Sequence, residues 1–187
     1  MQVQHQAVTL PDVFETAIYT LADGRQVAMT IAEDGPGKPI SKNYSGACMV
    51  QLTGQLPWIL NDQGQPWVGP TAIITEDLYR WMTREELEFV IMHEVGHFAN
   101  DNMTSEAVAA IANPDISKEE ALAACHADTP MEIAADAFAV SQVGMETAKR
   151  SMLGLMAFGA SMAGWDVQKH IRGFRKINPG RLEALGI

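Results

Sequence analysis

The chain has few cysteines, few positive charges and no long apolar run, and each shortage removes a class of protein. Cys48 and Cys125 are its only cysteines among 187 residues, so there is no disulfide framework, and this sparsity predicts a reducing compartment. Lys and Arg number 13 against 23 Asp and Glu, a net charge of −10 with His neutral. A chain this acidic lacks the footprint that phosphate backbones select, and anionic lipid surfaces should repel it. Neither nucleic acid nor membrane insertion is therefore expected. The longest greasy segment, Met152 to Ala163, is interrupted by Gly154, Gly159 and Ser161 and is shorter than the roughly 20 residues of a bilayer-spanning helix. Residues Met1 to Gln6 have neither the basic nor the apolar region of a secretory signal, so the expected setting is cytoplasmic.

What is present favours a globular protein. A 47% hydrophobic content suffices for one core, and the length predicts a single domain over residues 1–187. The expected class is α+β, with an N-terminal, antiparallel β-rich part over residues 1–80 followed by a helical part over residues 81–187. Strand-like runs at 16–21 and 26–31 flank Asp23-Gly24, whose dipeptide type supplies the positive φ angles of a tight hairpin. A loop is expected at 33–39. Further strand-like runs lie at 48–53 and 71–75, separated by turn signals at 61–64 and at Gly69-Pro70.

Helical signals begin at Thr83-Arg84-Glu85-Glu86, which has the S/T-x-x-E form of a capping box. Leu87, Val90, Ile91, Val95 and Phe98 then recur at helical spacing, predicting a helix over 84–100. Asn113-Pro114-Asp115 breaks the next segment, and Ser117 caps a short helix through Glu120. Asp128-Thr129-Pro130 opens another, expected from 130 to 148 or beyond, with Pro130 in its first turn. The Cys125-His126 pair is expected at the end of the short helix.

Inside the first of these helices stands His93-Glu94-Val95-Gly96-His97, an H-E-x-x-H arrangement. Residues four apart share a helix face, so the two imidazoles converge on a point the size of a metal ion, and the neighbouring Glu94 is set to take a proton from metal-bound water. Such chemistry suits one Zn2+ per chain, held by three protein ligands with a position left for water. Glu132 and Asp136, at i and i+4 on the later helix, are the candidate third ligand and the candidate acceptor for a ligand imidazole's free N–H. The small residues Ala134, Ala135, Ala137 and Ala139 would let the two helices come close.

His93-Glu94-x-x-His97 followed by Glu132-x-x-Ala135-Asp136-x-Phe138-Ala139 resembles the gluzincin zinc metallopeptidases, in particular the group containing HtpX and the CAAX prenyl proteases. The segment 83–97 is similar to that family's first site helix, 132–144 to its third-ligand helix, and 181–185 more weakly to a later part. The resemblance implies a zincin-like endopeptidase with His93, His97 and Glu132 on zinc, Glu94 as general base, and a protein or peptide substrate whose extended backbone lies along the strand 71–75. It also implies a cationic or hydrogen-bonding group that stabilises the oxyanion. His170 is the first candidate, with His126, Arg172 and Arg181 behind it.

Three other readings compete. A deformylase-like metallohydrolase would use Cys48 as third ligand, leaving Glu132 and Asp136 idle. A zinc-stabilised domain that only binds a partner would have no use for Glu94. A latent peptidase, regulated by a signal, would share the same motifs. Met145, Met152, Met156 and Met162 are expected to fill gaps in a helical core rather than to form a docking surface. The same holds for Trp58, Trp67, Trp81 and Trp165, expected in the core or at its rim.

Overall fold

The computed structural model describes residues 4–9, 15–32, 46–51, 56–61, 63–102 and 117–187. Among the described residues seven strands precede six helices: β1 (Gln4–Thr9), β2 (Glu15–Thr20), β3 (Gln26–Ala32), β4 (Ala47–Gln51), β5 (Leu56–Leu60), β6 (Pro66–Trp67) and β7 (Pro70–Thr75), then α1 (Glu76–Trp81), α2 (Arg84–Ala99), α3 (Lys118–Val143), α4 (Met145–Ala163), α5 (Val167–Ile177) and α6 (Arg181–Ala184). The architecture is α+β, a strand region followed by a mostly helical remainder. The loop expected at 33–39 and the break at 113–115 lie outside the described residues.

Five strands form one sheet in the order β1-β2-β3-β7-β4, and β5 pairs with β6 apart from it. The β2–β3 hairpin turns at Asp23-Gly24, where Gly24 takes a φ of 85° and donates to the Leu21 carbonyl at 2.9 Å. The expected antiparallel β-rich part is corrected at one junction, because β7 pairs in parallel with β3. A parallel neighbour requires a crossover, and the chain between β3 and β7 supplies it through β4, β5 and β6. Hairpin signals are local and cannot register such a return.

Strand alternation divides the core in two. Ala17, Tyr19, Val27 and Met29 face the helices and share a cluster with Phe89, Val90, Val95, Met152 and Met156. Ile18 and Ala28, one residue out of phase, pack with Ile59 and Trp67 on the other face. Met152 and Met156 thus fill the core as expected, whereas Met145 and Met162 are exposed. Trp67 is buried as expected, whereas Trp81 and Trp165 are exposed, and the side chain of Trp58 lies outside the described residues.

Thr83 caps α2 as its sequence predicts: its hydroxyl accepts from the Glu86 N–H, and the Glu86 carboxylate accepts from the Thr83 N–H. The far end of α2 is held by the β2–β3 turn. Arg25 donates to the Phe98 and Ala99 carbonyls at 3.2 and 3.1 Å, pairs with Asp101 at 2.6 Å and lies 4.9 Å above the Phe98 ring. A cation there meets carbonyls that have no partner within the helix.

Two helix boundaries differ from expectation. Ser117 and Glu120 form a capping box, but α3 runs unbroken for 26 residues with Pro130 inside it, so neither a short helix ending near Cys125 nor a new one opening at Pro130 is found. Pro130 lacks an N–H, yet the turn is braced by the Thr129 hydroxyl donating to the Cys125 carbonyl at 3.2 Å and by burial of Asp128, Thr129, Ala135 and Ala139. Packing on both sides of the proline outweighs its local preference. The helix then stops at Val143 rather than continuing past 148, because Gly144 takes a φ of 85°.

Candidate metal centre

Helix periodicity sets the first half of the site. His93 and His97 lie one turn apart on α2, their rings 4.7 Å between centroids and nearly perpendicular, with their Nε2 atoms 3.1 Å apart. His93 and Glu94 are buried at 7% exposure each.

Close helix packing brings up the second half. A Cβ on Gly96 would stand 2.9 Å from the Ala135 carbonyl oxygen and 3.0 Å from its Cα, so glycine is what lets α2 meet α3 at this depth. Of the alanines expected at this contact, Ala135 and Ala139 are buried, Ala134 is partly so and Ala137 is exposed. One turn before Ala135, Glu132 presents Oε2 at 3.3 Å from His93 Nε2 and Oε1 at 3.4 Å from His97 Nε2. One donor atom from each of His93, His97 and Glu132 falls within 4.8 Å of the others, a group that can hold a metal ion.

Asp136 accepts from His93 Nδ1 at 2.8 Å. With Nδ1 committed to Asp136, Nε2 is the nitrogen left for the centre. Arg181, 9% exposed, closes the cluster from α6. Its Nη1 lies 2.6 Å from Glu132 Oε2, while Nε and Nη2 meet the two Asp136 oxygens at 2.6 and 3.0 Å.

These contacts set the proton affinities. Burial and the Arg181 charge oppose a cation on His93, yet Asp136 and Glu132 outweigh them and push its pKa up to about 9. Burial likewise opposes ionisation of Glu132 and Asp136, but the histidine and arginine partners hold both carboxyls below their usual range. Glu94 moves the other way: burial raises its pKa, with the Glu132 charge adding to the effect against the pull of the imidazoles. A second proton on His93 and a divalent cation are thus rivals for its Nε2. Two imidazole nitrogens and one carboxylate oxygen are donors that fit zinc.

Of the four residues considered for oxyanion stabilisation, the structure brings only Arg181 to the centre. His170 packs instead between α5 and α4, against Gly159 and 6.0 Å from the Trp165 ring centroid. His126 Nε2 lies 2.6 Å from the Lys176 carbonyl, and Arg172 is exposed. Arg181 is not free for that role either, since Nε, Nη1 and Nη2 all face carboxylates. The clamp it makes was unforeseen; the only sequence signal was the weak resemblance at 181–185.

The strand 71–75 also needs correcting as a substrate-binding edge. It is β7, paired with β3 on one side and β4 on the other, so its backbone groups are already engaged. The nearest edge is β4, which has no second strand partner among the described residues.

Residues 63–129 match Peptidase family M48. The resemblance to a metallopeptidase family is therefore borne out. The family match spans α2 with His93, Glu94 and His97, and it stops just before Glu132, so Glu132, Asp136 and Arg181 lie outside the matched residues. It supports a metallopeptidase function acting on peptides or proteins. No curated protein and no solved structure matches the chain. No helix among the described residues is long and apolar enough to cross a membrane.

Proposed function

We propose that residues 1–187 work as one metallopeptidase-like unit, a zinc-dependent endopeptidase in which His93, His97 and Glu132 hold one Zn2+ per chain. The observation that carries this reading is the convergence of two imidazole nitrogens and a carboxylate oxygen from two helices within 4.8 Å. Zinc bound there supplies Lewis acidity, which polarises a peptide carbonyl and acidifies water.

The chain's own residues do the rest. Glu94 is the general base: burial raises its proton affinity, so it can take a proton from the attacking water and return it to the leaving amine. Asp136 holds the His93 ring in the tautomer that leaves Nε2 for the ion. The substrate backbone lies extended along the edge of β4, where α2 crosses the sheet.

Metal analysis beside a peptide-library digest tests the reading. The wild-type protein should hold one zinc per chain and cleave, and Glu94→Gln should hold as much zinc while losing about 100- to 10,000-fold in rate. Undiminished cleavage by that variant overturns the base assignment, and unchanged zinc content in Glu132→Ala overturns the ligand set. Zinc without cleavage by the wild type would turn the reading toward a latent or partner-binding protein.

A further inference from the structure

We infer that Arg181 is a positioning residue that sets how the third ligand meets the metal, making α6 part of the centre. This rests on the metal-centre reading above and goes beyond its ligand set. The guanidinium is a planar fork with five N–H donors, and here its three nitrogens are divided between two carboxylates on one helix. Nε and Nη2 grip both oxygens of Asp136, and Nη1 takes Glu132 Oε2.

The division has two consequences. Glu132 Oε2 lies between Arg181 Nη1 at 2.6 Å and His93 Nε2 at 3.3 Å, whereas Oε1 faces His97 Nε2 at 3.4 Å, so Arg181 opposes two-oxygen ligation and leaves Oε1 the freer donor. With both Asp136 oxygens fixed, the acceptor for His93 Nδ1 cannot swing, and the His93 ring is held through it. One side chain therefore orients two of the three donor groups, and its Nη2 also lies 3.3 and 3.4 Å from the two ring nitrogens of His93.

Arg181 is itself firmly placed. Gly180 takes a φ of 85° at the turn into α6, Leu182 and Leu185 are buried at 1% and 2% exposure, and the guanidinium lies 5.6 Å from the Phe174 ring centroid. The cation also offsets the cost of burying Glu132 and Asp136 side by side.

Cobalt(II) titration of the metal-free wild type, Arg181→Gln and Arg181→Lys tests this, with affinity read by chelator competition and coordination read from the visible spectrum. Melting curves of the metal-free forms establish that each variant is folded. The wild type should show the intense bands of a four-coordinate ion. Arg181→Gln should bind about 10- to 100-fold more weakly, with bands weakened toward five-coordination as Glu132 swings to two-oxygen ligation. Arg181→Lys should keep the charge and the fold but move affinity and spectrum the same way, because one ammonium cannot bridge both carboxylates. It carries the test if the glutamine variant does not fold. Wild-type affinity and spectrum in a folded variant overturn the positioning role alone, whereas a wild type that binds no cobalt overturns the metal centre and this inference with it.

Discussion

On α2 the two imidazoles and Glu94 are arranged by the pitch of a single helix, whereas Glu132, Asp136 and Arg181 are arranged by one another across α3 and α6. The first half needs only a helix between the Thr83 cap and the Arg25 clamp, residues that also keep its ends from fraying. The second half needs a helix that survives Pro130, a glycine at the crossing and a turn at Gly180 that brings α6 to the site. Local periodicity supplies two donors cheaply in sequence, but the anionic donor and the charge balance depend on long-range packing. The M48 match follows the same division, covering α2 and stopping before Glu132.

The most disruptive way to break that comparison is to push the halves apart. Gly96→Ala adds a Cβ against backbone atoms of Ala135, which cannot rotate away. A loss of about 1–3 kcal/mol in stability is expected, together with weaker zinc binding, although no ligand is touched. Chemical denaturation and zinc competition check both, and full zinc affinity in this variant would mean that the helices need not meet closely.

A second effect should come from pH, which tests whether the carboxylates of α3 reach across to α2. The folded-state pKa of His93 is about 9, above its ordinary 6.5. Its proton therefore contributes stability that is complete below pH 6.5 and lost as pH rises through about 9. The melting temperature of the metal-free protein should fall over that window. Asp136→Asn should flatten the fall by weakening the hold on the proton, and an unchanged slope in that variant would place its origin elsewhere.

The smallest effect should come from the sheet side. Arg25→Ala removes donors to two carbonyls at the end of α2, but the side chain is partly solvent-exposed, so about 1 kcal/mol is expected. Zinc affinity should hardly move, since α2 remains joined to α3 at Gly96. A large loss of zinc binding in Arg25→Ala would show that the hairpin, and not the α3 crossing, sets the imidazole pair.

Legibility in the sequence followed the range of the interaction. The Asp23-Gly24 turn and the capping boxes at Thr83 and Ser117 form within a few residues and were readable from them. The path of β7 into the middle of the sheet and the continuity of α3 through Pro130 were not, because strand partners and tertiary packing decided them. Glu132 and Asp136 were readable as a helical pair, but the pair alone looks the same on a solvated face. Arg181 carried little local pattern, and its engagement with both carboxylates appears only once α6 is docked.

By itself the amino-acid order determined the α2 constellation, since covalent spacing and helix pitch together fix which side chains share a face. Only the tertiary structure decided that Glu132 meets the imidazoles and that a buried guanidinium braces it. Charges gathered from positions 93, 132, 136 and 181 interact through space, at distances set by how helices pack rather than by how far apart the residues stand along the chain.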